Sequence, residues 1–233
     1  GPAPPIVGGS HDPLLEWALR ESNSGLAILP EGSEAGLRRL TQGEVVAAAI
    51  HLHRLDGDDE TANHDAIADA PGLHDTVLIA FARREQGLLV APGNPLKLSD
   101  IASVAACRAR IAQRPTGAGA QLLLLALLAR ANLGFDALNA VKPPCPTGPD
   151  IAQAVRAGRA DCGIATRGVA LAAGIDFIPL TWERFDLALR QRDYFMAGPQ
   201  ALFRFMRETA FQRHAAEMTG YDVTEAGTVR HVN

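Results

Sequence analysis

The chain has 233 residues, 47% of them apolar and 5% aromatic, with 22 Lys and Arg set against 26 Asp and Glu. That length suits two lobes of about 100 residues each better than one compact domain, and a formal charge of −4 offers no overall basic field for nucleic acid. The three cysteines, Cys107, Cys145 and Cys162, show no CxxC spacing and an odd count, which points to free thiols in a reducing compartment. The longest apolar run, Leu122 to Ala129, is too short to span a bilayer, so no membrane partner is expected. No secretory signal is visible, and Gly1-Pro2 looks like a protease scar, so the natural N-terminus is expected to be missing here.

Pro5 to Gly8 reads as a short strand. Asp12 and Pro13 supply an N-cap and a first helical residue, and Leu14, Leu15, Trp17 and Ala18 lay one apolar stripe along a helix to Glu21. Gly25 to Leu29 is the next strand, Ser33 is expected to cap a helix to Gln42, and Gly43 stops it. Val45 to Ile50 is a strand of buried type. Asp56 to Asp75, rich in Asp, His and Gly, is expected to be a loop with little regular structure. Thr76 to Ala82 and Gly87 to Ala91 read as two strands in quick succession, closed by Pro92-Gly93-Asn94-Pro95. A strand from Arg108 to Ala112 runs through the turn QRPTGAGAQ, residues 113–121, onto an apolar helix from Leu122 to Leu133. Pro149 to Ala157 is a helix ended by Gly158, and Asp161 to Ala165 a strand. Thr166 is expected to cap a helix to Ala173 that Gly174 ends, and Asp176 to Leu180 is another strand.

This alternation predicts an α/β protein of mostly parallel sheets flanked by helices. In such sheets ligands sit at the carboxyl ends of strands, beside helix N-termini. The two-glycine turn is the leading candidate, with Thr116, Gly117, Ala118, Gly119 and Gln121. Glycine lets the backbone approach a guest closely, and a first helical turn offers unpaired N–H groups and a favourable dipole. The alternative is a plain strand-to-helix connector. Ser10, His11, Ser33, Thr166 and Arg167 stand at the other helix starts. His51 either lines the cleft or satisfies a carbonyl. It alternates with His53 at a strand end, but no third ligand stands at metal spacing, so no metal is expected. Ser10-His11-Asp12 has the residue types of a hydrolytic triad, yet chain neighbours cannot form a relay, and a capped turn is the reading. Glu183, Arg184 and Asp186 suggest a hinge ion pair. Arg83 and Arg84 are expected to be solvated, and Cys107 and Cys162 to be small buried residues. No carboxylate pair, P-loop or dinucleotide fingerprint is present, so neither catalysis nor a cofactor is expected.

Several segments carry a resemblance to a known family. They are Gly9-Ser10-His11-Asp12-Pro13-Leu14-Leu15, Ala49-Ile50-His51-Leu52, Arg84-Glu85-Gln86-Gly87-Leu88 and Ala91-Pro92-Gly93-Asn94-Pro95. Ala157-Gly158-Arg159-Ala160-Asp161-Cys162-Gly163, Asp176-Phe177-Ile178-Pro179-Leu180, Phe185-Asp186-Leu187 and Gly220-Tyr221-Asp222 follow in order. The set resembles the type II periplasmic-binding-protein-like domain of the molybdate- and tungstate-binding group, in the version that serves as effector domain behind a helix-turn-helix in bacterial transcriptional regulators. The resemblance implies a two-lobed fold, lobe one being residues 1–85 plus 187–233 and lobe two residues 86–186, with a ligand cleft between them. It also implies a double-crossover hinge near Arg84 to Gly87 and Glu183 to Leu187, with the C-terminal helices returning to lobe one.

Where the family pattern is close to NRQRGSGTR, this chain has QRPTGAGAQ. Thr116 and Gln121 replace two arginines, and Ala118 and Ala120 replace a serine and a threonine. A doubly charged oxyanion depends on charge-assisted hydrogen bonds, so this turn favours a neutral or singly charged organic ligand, such as a heteroaromatic matched by the Gln121 amide, over a molybdate-like oxyanion. Arg114 and Arg167 remain. The expected role is ligand sensing in the cytoplasm by a regulator that acts as a homodimer and meets DNA only through a domain absent from this chain. The alternative is an extracytoplasmic solute-binding protein of an ABC importer.

Overall fold

The computed structural model describes residues 1–55 and 59–232. Its first elements alternate from the start: β1 (Ile6–Ser10), α1 (Pro13–Glu21), β2 (Ala27–Glu31), α2 (Ser33–Thr41), β3 (Ala47–Ile50), α3 (Ala62–Asp69) and β4 (Thr76–Val90). Next come α4 (Ile101–Ala106), β5 (Arg110–Ala112), α5 (Gly119–Arg130), a 3-10 turn at Phe135–Ala137, β6 (Asn139–Val141) and α6 (Gly148–Arg156). The chain continues with β7 (Cys162–Thr166), α7 (Arg167–Ala173) and β8 (Asp176–Arg190). It closes with α8 (Gln191–Tyr194), α9 (Ala197–Phe205), α10 (Thr209–Met218), β9 (Tyr221–Asp222) and β10 (Val229–Val232). The fold is α/β, with mixed sheet flanked by helices.

Contacts divide the chain into two compact units. Unit one holds Gly1–Leu52, Asp58–Arg83 and Arg184–Asn233; unit two holds His53–Gly57 and Arg84–Glu183. The two 15-residue strands, β4 and β8, therefore begin in one unit and end in the other.

In unit one, β1 lies between β2 and β3, parallel to both, and β3 pairs antiparallel with β8, Ala48 standing opposite Ala188. Side chains alternate between two cores. On one face Leu14, Leu15 and Ala18 of α1 meet Val7, Phe81, Phe185 and Phe211. The rings of Phe81 and Phe185, and of Phe81 and Phe211, meet edge to face at 5.7 and 5.6 Å, the preferred aromatic geometry. On the other face Leu40, Val45, Ile50, Ile67 and Leu78 pack together.

In unit two, residues 86–90 of β4 pair antiparallel with β7, which runs parallel to β5, as β5 does to β6. The period of two again sorts the faces. Leu88, Val90, Ile111, Cys162 and Ile164 pack with Ala120, Leu123, Leu124 and Leu128 of α5. Leu89, Ala112 and Ala165 pack with Ile151, Ala154 and Val155 of α6 and Ala170 of α7.

Several expectations are corrected. Thr76 to Val90 is one strand where two were expected, and the polar residues in its middle have distant partners: buried Arg84 and Gln86 donate to Glu183, and half-buried Arg83 and Glu85 pair with Glu60 and Arg167. The expected strand at Asp176 to Leu180 runs on to Arg190. The expected loop contains α3, while Asp56, Gly57 and Asp58 lie outside the described residues. The expected parallel pairing holds for β1 with β2 and β3 and for β5 with β6 and β7, with β8 and β4 added antiparallel. All three cysteines are free, as expected, but Cys107 is exposed; Cys162 is buried, and burial pushes its thiol up to about 12.

Candidate functional site

Ser10 ends β1 and Ser33 begins α2. Ser33 does not cap that helix: Gly32 holds the N-cap position, without a side-chain bond. The Ser33 hydroxyl instead lies 2.8 Å from that of Ser10 and accepts the His51 N–H at 3.0 Å. Ser10, Ser33 and His51 are thus joined in one buried cluster, beside a helix start that no side chain caps. The His51 ring also lies against Phe185, centroids 5.8 Å apart. His11 is not part of this cluster. Its Nε2 lies 2.7 Å from Glu16 Oε2, and that hydrogen bond holds the Glu16 carboxyl below the usual range. Asp12 caps α1 by accepting the Leu15 N–H at 2.9 Å, and its other oxygen accepts a hydrogen bond from the Tyr221 hydroxyl at 2.7 Å. Ser10-His11-Asp12 therefore point to three different partners, as chain neighbours must.

In unit two the turn after β5 is closed by Ala118 N–H donating to Pro115 O at 3.1 Å, with Gly117 at φ +84°. A left-handed residue is required here, and glycine takes it without a Cβ penalty. α5 starts at Gly119, three residues before the apolar run, with Ala118 at its N-cap and no side-chain cap. The N–H groups of Gly119, Ala120 and Gln121 consequently have no acceptor within the helix. By contrast α1, α4 and α6 are each capped by their own Asp12, Asp100 or Thr147.

Gln121 staples the turn. Its Oε1 accepts the Arg114 N–H at 2.9 Å, and its Nε2 donates to Gln113 Oε1 at 2.7 Å. Arg114 donates to the carbonyls of Cys145 and Pro146 at 3.1 and 3.0 Å, and burial lowers its proton affinity. Thr116 is exposed on the turn. Thr166 occupies the N-cap of α7 without forming a side-chain cap, contrary to the expectation of a capped helix. Arg167 donates to Glu85 Oε1 at 2.6 Å and lies over the Phe177 ring, 4.5 Å from its centroid.

The polar group that sequence reasoning missed is centred on Glu183. Its Oε1 accepts Arg84 Nε and Nη2 at 3.0 and 2.7 Å and Gln86 Nε2 at 2.8 Å, while its Oε2 lies 2.9 Å from His53 Nε2. Arg84, expected to be solvated, is 3% exposed, and Glu183 is 2% exposed. His53 and Glu183 are residue types that ligate metals, but this carboxylate is already shared by Arg84 and Gln86. The one available signal was parity: Arg84 and Gln86 fall in step with Leu88 and Val90, which face the core.

The expected ion pair among Glu183, Arg184 and Asp186 does not form. Arg184 bonds Glu60 and Glu225, while Asp186 accepts from Asn63 Nδ2 at 2.9 Å and from Arg230. Burial pushes the Asp186 carboxyl from 3.8 up to about 6, against the opposing effect of Arg230. A carboxyl raised in the folded state favours folding below the unfolded value and loses that contribution as pH rises through about 6. Relative to Asp186→Asn, the wild-type chain should therefore lose roughly 2 kcal/mol between pH 4 and pH 7. Urea denaturation of both chains at the two pH values measures it; a constant difference contradicts it.

The fold is that of a ligand-binding domain of the periplasmic-binding-protein type. Residues 16–207 match the PBP superfamily domain, and the chain belongs to that superfamily, a family of ligand-binding rather than catalytic domains. It is 26% identical over 203 residues to YvgK of Bacillus subtilis (strain 168), covering 85% of this chain but only 63% of YvgK. Among solved structures, the tungstate ABC transporter protein of Geobacter sulfurreducens is similar with a TM-score of 0.64 at 12% identity, over 91% of this chain and 97% of that one. The effector-binding domain of QuiR in complex with shikimate has a TM-score of 0.63 at 12% identity, over 91% and 96%. Among the described residues no helix is long and apolar enough to cross a membrane.

Proposed function

We propose that this chain is the small-molecule effector-binding domain of a bacterial transcriptional regulator, working in the cytoplasm within a homodimer, with DNA bound by a separate part of the protein. One observation carries the ligand site. The N-terminus of α5 opens behind a left-handed glycine at the carboxyl end of β5 with no side chain capping it. Its first-turn N–H groups are fixed donors for an anionic or electron-rich group. In unit one the start of α2, beside the buried Ser10–Ser33–His51 cluster, is likewise uncapped by any side chain. The likeness to the effector-binding domain of QuiR, solved in complex with shikimate, supports this reading. YvgK extends beyond the part this chain matches, which leaves room for a DNA-binding segment in a protein of that plan.

The alternative, a solute-binding protein of an ABC importer, is favoured by the likeness to the tungstate transporter protein. The sequence adjoining the domain in its gene separates the two: a basic helix-turn-helix supports the regulator, and an apolar secretion signal supports the importer. The α5 site is tested by Ala118→Asp, which places a carboxylate at the N-cap. That side chain accepts the first-turn N–H groups and repels an incoming anion. Thermal-shift titration with a panel of small carboxylates, oxyanions and purines should show the stabilisation seen with the wild type lost in the variant. Equal stabilisation of both chains sinks the assignment.

A further inference from the structure

Residues two apart on a strand share a face. Leu88 and Val90 of β4, Ile111 of β5, and Cys162 and Ile164 of β7 pack against Ala120, Leu123 and Leu124 of α5. Stepping two residues along brings Gln86 within β4, Thr166 at the end of β7 and Gln113 just past β5 to that same face, where β5 and β7 reach their carboxyl ends and β4 runs on. Gln86 stands opposite Thr166 in register, and Gln113 bonds Gln121 in the first turn of α5. The rim where α5 begins therefore includes Gln86.

Gln86 is 2% exposed, and Glu183 fixes the orientation of its amide. Nε2 donates to Glu183 Oε1 at 2.8 Å, and a flipped amide would set oxygen against carboxylate. Oε1 is thereby buried with no hydrogen-bond partner among the described residues. A buried acceptor left unpaired costs about 1–3 kcal/mol, so its retention calls for a donor.

We infer that Gln86 Oε1 accepts a hydrogen bond from the bound ligand. The ligand of this site accordingly carries an O–H or N–H donor beside the acceptor or anionic group it presents to the N–H groups of α5. This rests on the reading of α5 as a ligand site and adds the ligand's class, a hydroxylated carboxylate or an N–H heterocycle. Fully deprotonated tungstate, molybdate or sulfate offers acceptors alone and would set oxide against the Gln86 oxygen. Ala118 and Ala120 point the same way, since neither has a side-chain donor for such an anion. Gln121, both ends of whose amide hold the turn, passes the role of recognising amide to Gln86.

Isothermal titration of the full chain and of Gln86→Met with tungstate, sulfate, inorganic phosphate, shikimate and adenine tests this. A donor-bearing probe should bind the wild type at least about tenfold more tightly than tungstate or sulfate. Gln86→Met should weaken that probe about tenfold and move tungstate by less than about twofold. If tungstate or sulfate matches the best donor-bearing probe, or Gln86→Met leaves that probe unchanged, the inference falls and the α5 site stands. Failure of every probe with a folded wild-type chain overturns the site and the inference together. Should Gln86→Met not fold, the wild-type ranking alone decides.

Discussion

Gly36→Val is expected to cost about 3–5 kcal/mol, at or beyond the upper end of ordinary overpacking, and to remove the ligand response with the stability. A Cβ at residue 36 would lie 2.5 Å from Gly9 Cα and 2.8 Å from Gly9 N. These are backbone atoms, and no side chain can rotate away to relieve the contact. Nor can β1 yield, because a Cβ at Gly9 would itself lie 2.2 Å from Ala49 O, and Gly9 holds φ +91°. α2 thus rests directly on the backbone of β1, and that seat brings the Ser33 hydroxyl within 2.8 Å of Ser10. Pushing the helix outward strains both the serine pair and the His51 N–H bond to Ser33. Gly168→Ala is the matched control: nothing lies within 4 Å of its added Cβ, and an alanine inside α7 should be neutral or stabilising by up to about 1 kcal/mol. Urea denaturation followed by circular dichroism compares them, and similar midpoints for the two variants would refute the close-seat account.

That contact illustrates what the sequence could and could not disclose. Local signals were legible because their cause is local. Asp12-Pro13 starts α1, Gly43 follows the end of α2 in a left-handed conformation, and Gly174 ends α7 in the same way. The two-glycine turn was read as opening onto a helix, and it does. The groups held by distant partners were not legible. Ser33 looked like a cap because serine at a helix start usually is one; its actual partners, Ser10 and His51, are 23 and 18 residues away. Arg84 and Gln86 looked like a polar break between two strands because the carboxylate to which both donate lies 99 and 97 residues further on. Gly36 had the same difficulty in another form, since a glycine that admits a neighbouring backbone is indistinguishable in sequence from one that merely tolerates its place.

Glu183→Leu should produce the other large loss, about 3–5 kcal/mol, the usual consequence of removing one partner from a buried ion pair. The Arg84 guanidinium is 3% exposed and would lose both hydrogen bonds to Glu183 while keeping its charge. Gln86 Nε2 and His53 Nε2 would lose the same partner. The decisive comparison is the double variant Arg84→Met with Glu183→Leu. If the single-variant loss comes mainly from breaking the Arg84–Glu183 charge pair, removing the Arg84 charge as well should restore part of it, giving a coupling of roughly 2 kcal/mol. Full recovery is not expected, because the amide and the imidazole remain without their carboxylate. Additive losses in the cycle would mean that the Arg84–Glu183 pair contributes only as two separately packed side chains. A coupling of the expected size would instead show that Arg84 and Glu183 act as a pair, across the same carboxylate oxygen that accepts from Gln86 Nε2, 97 residues away in sequence.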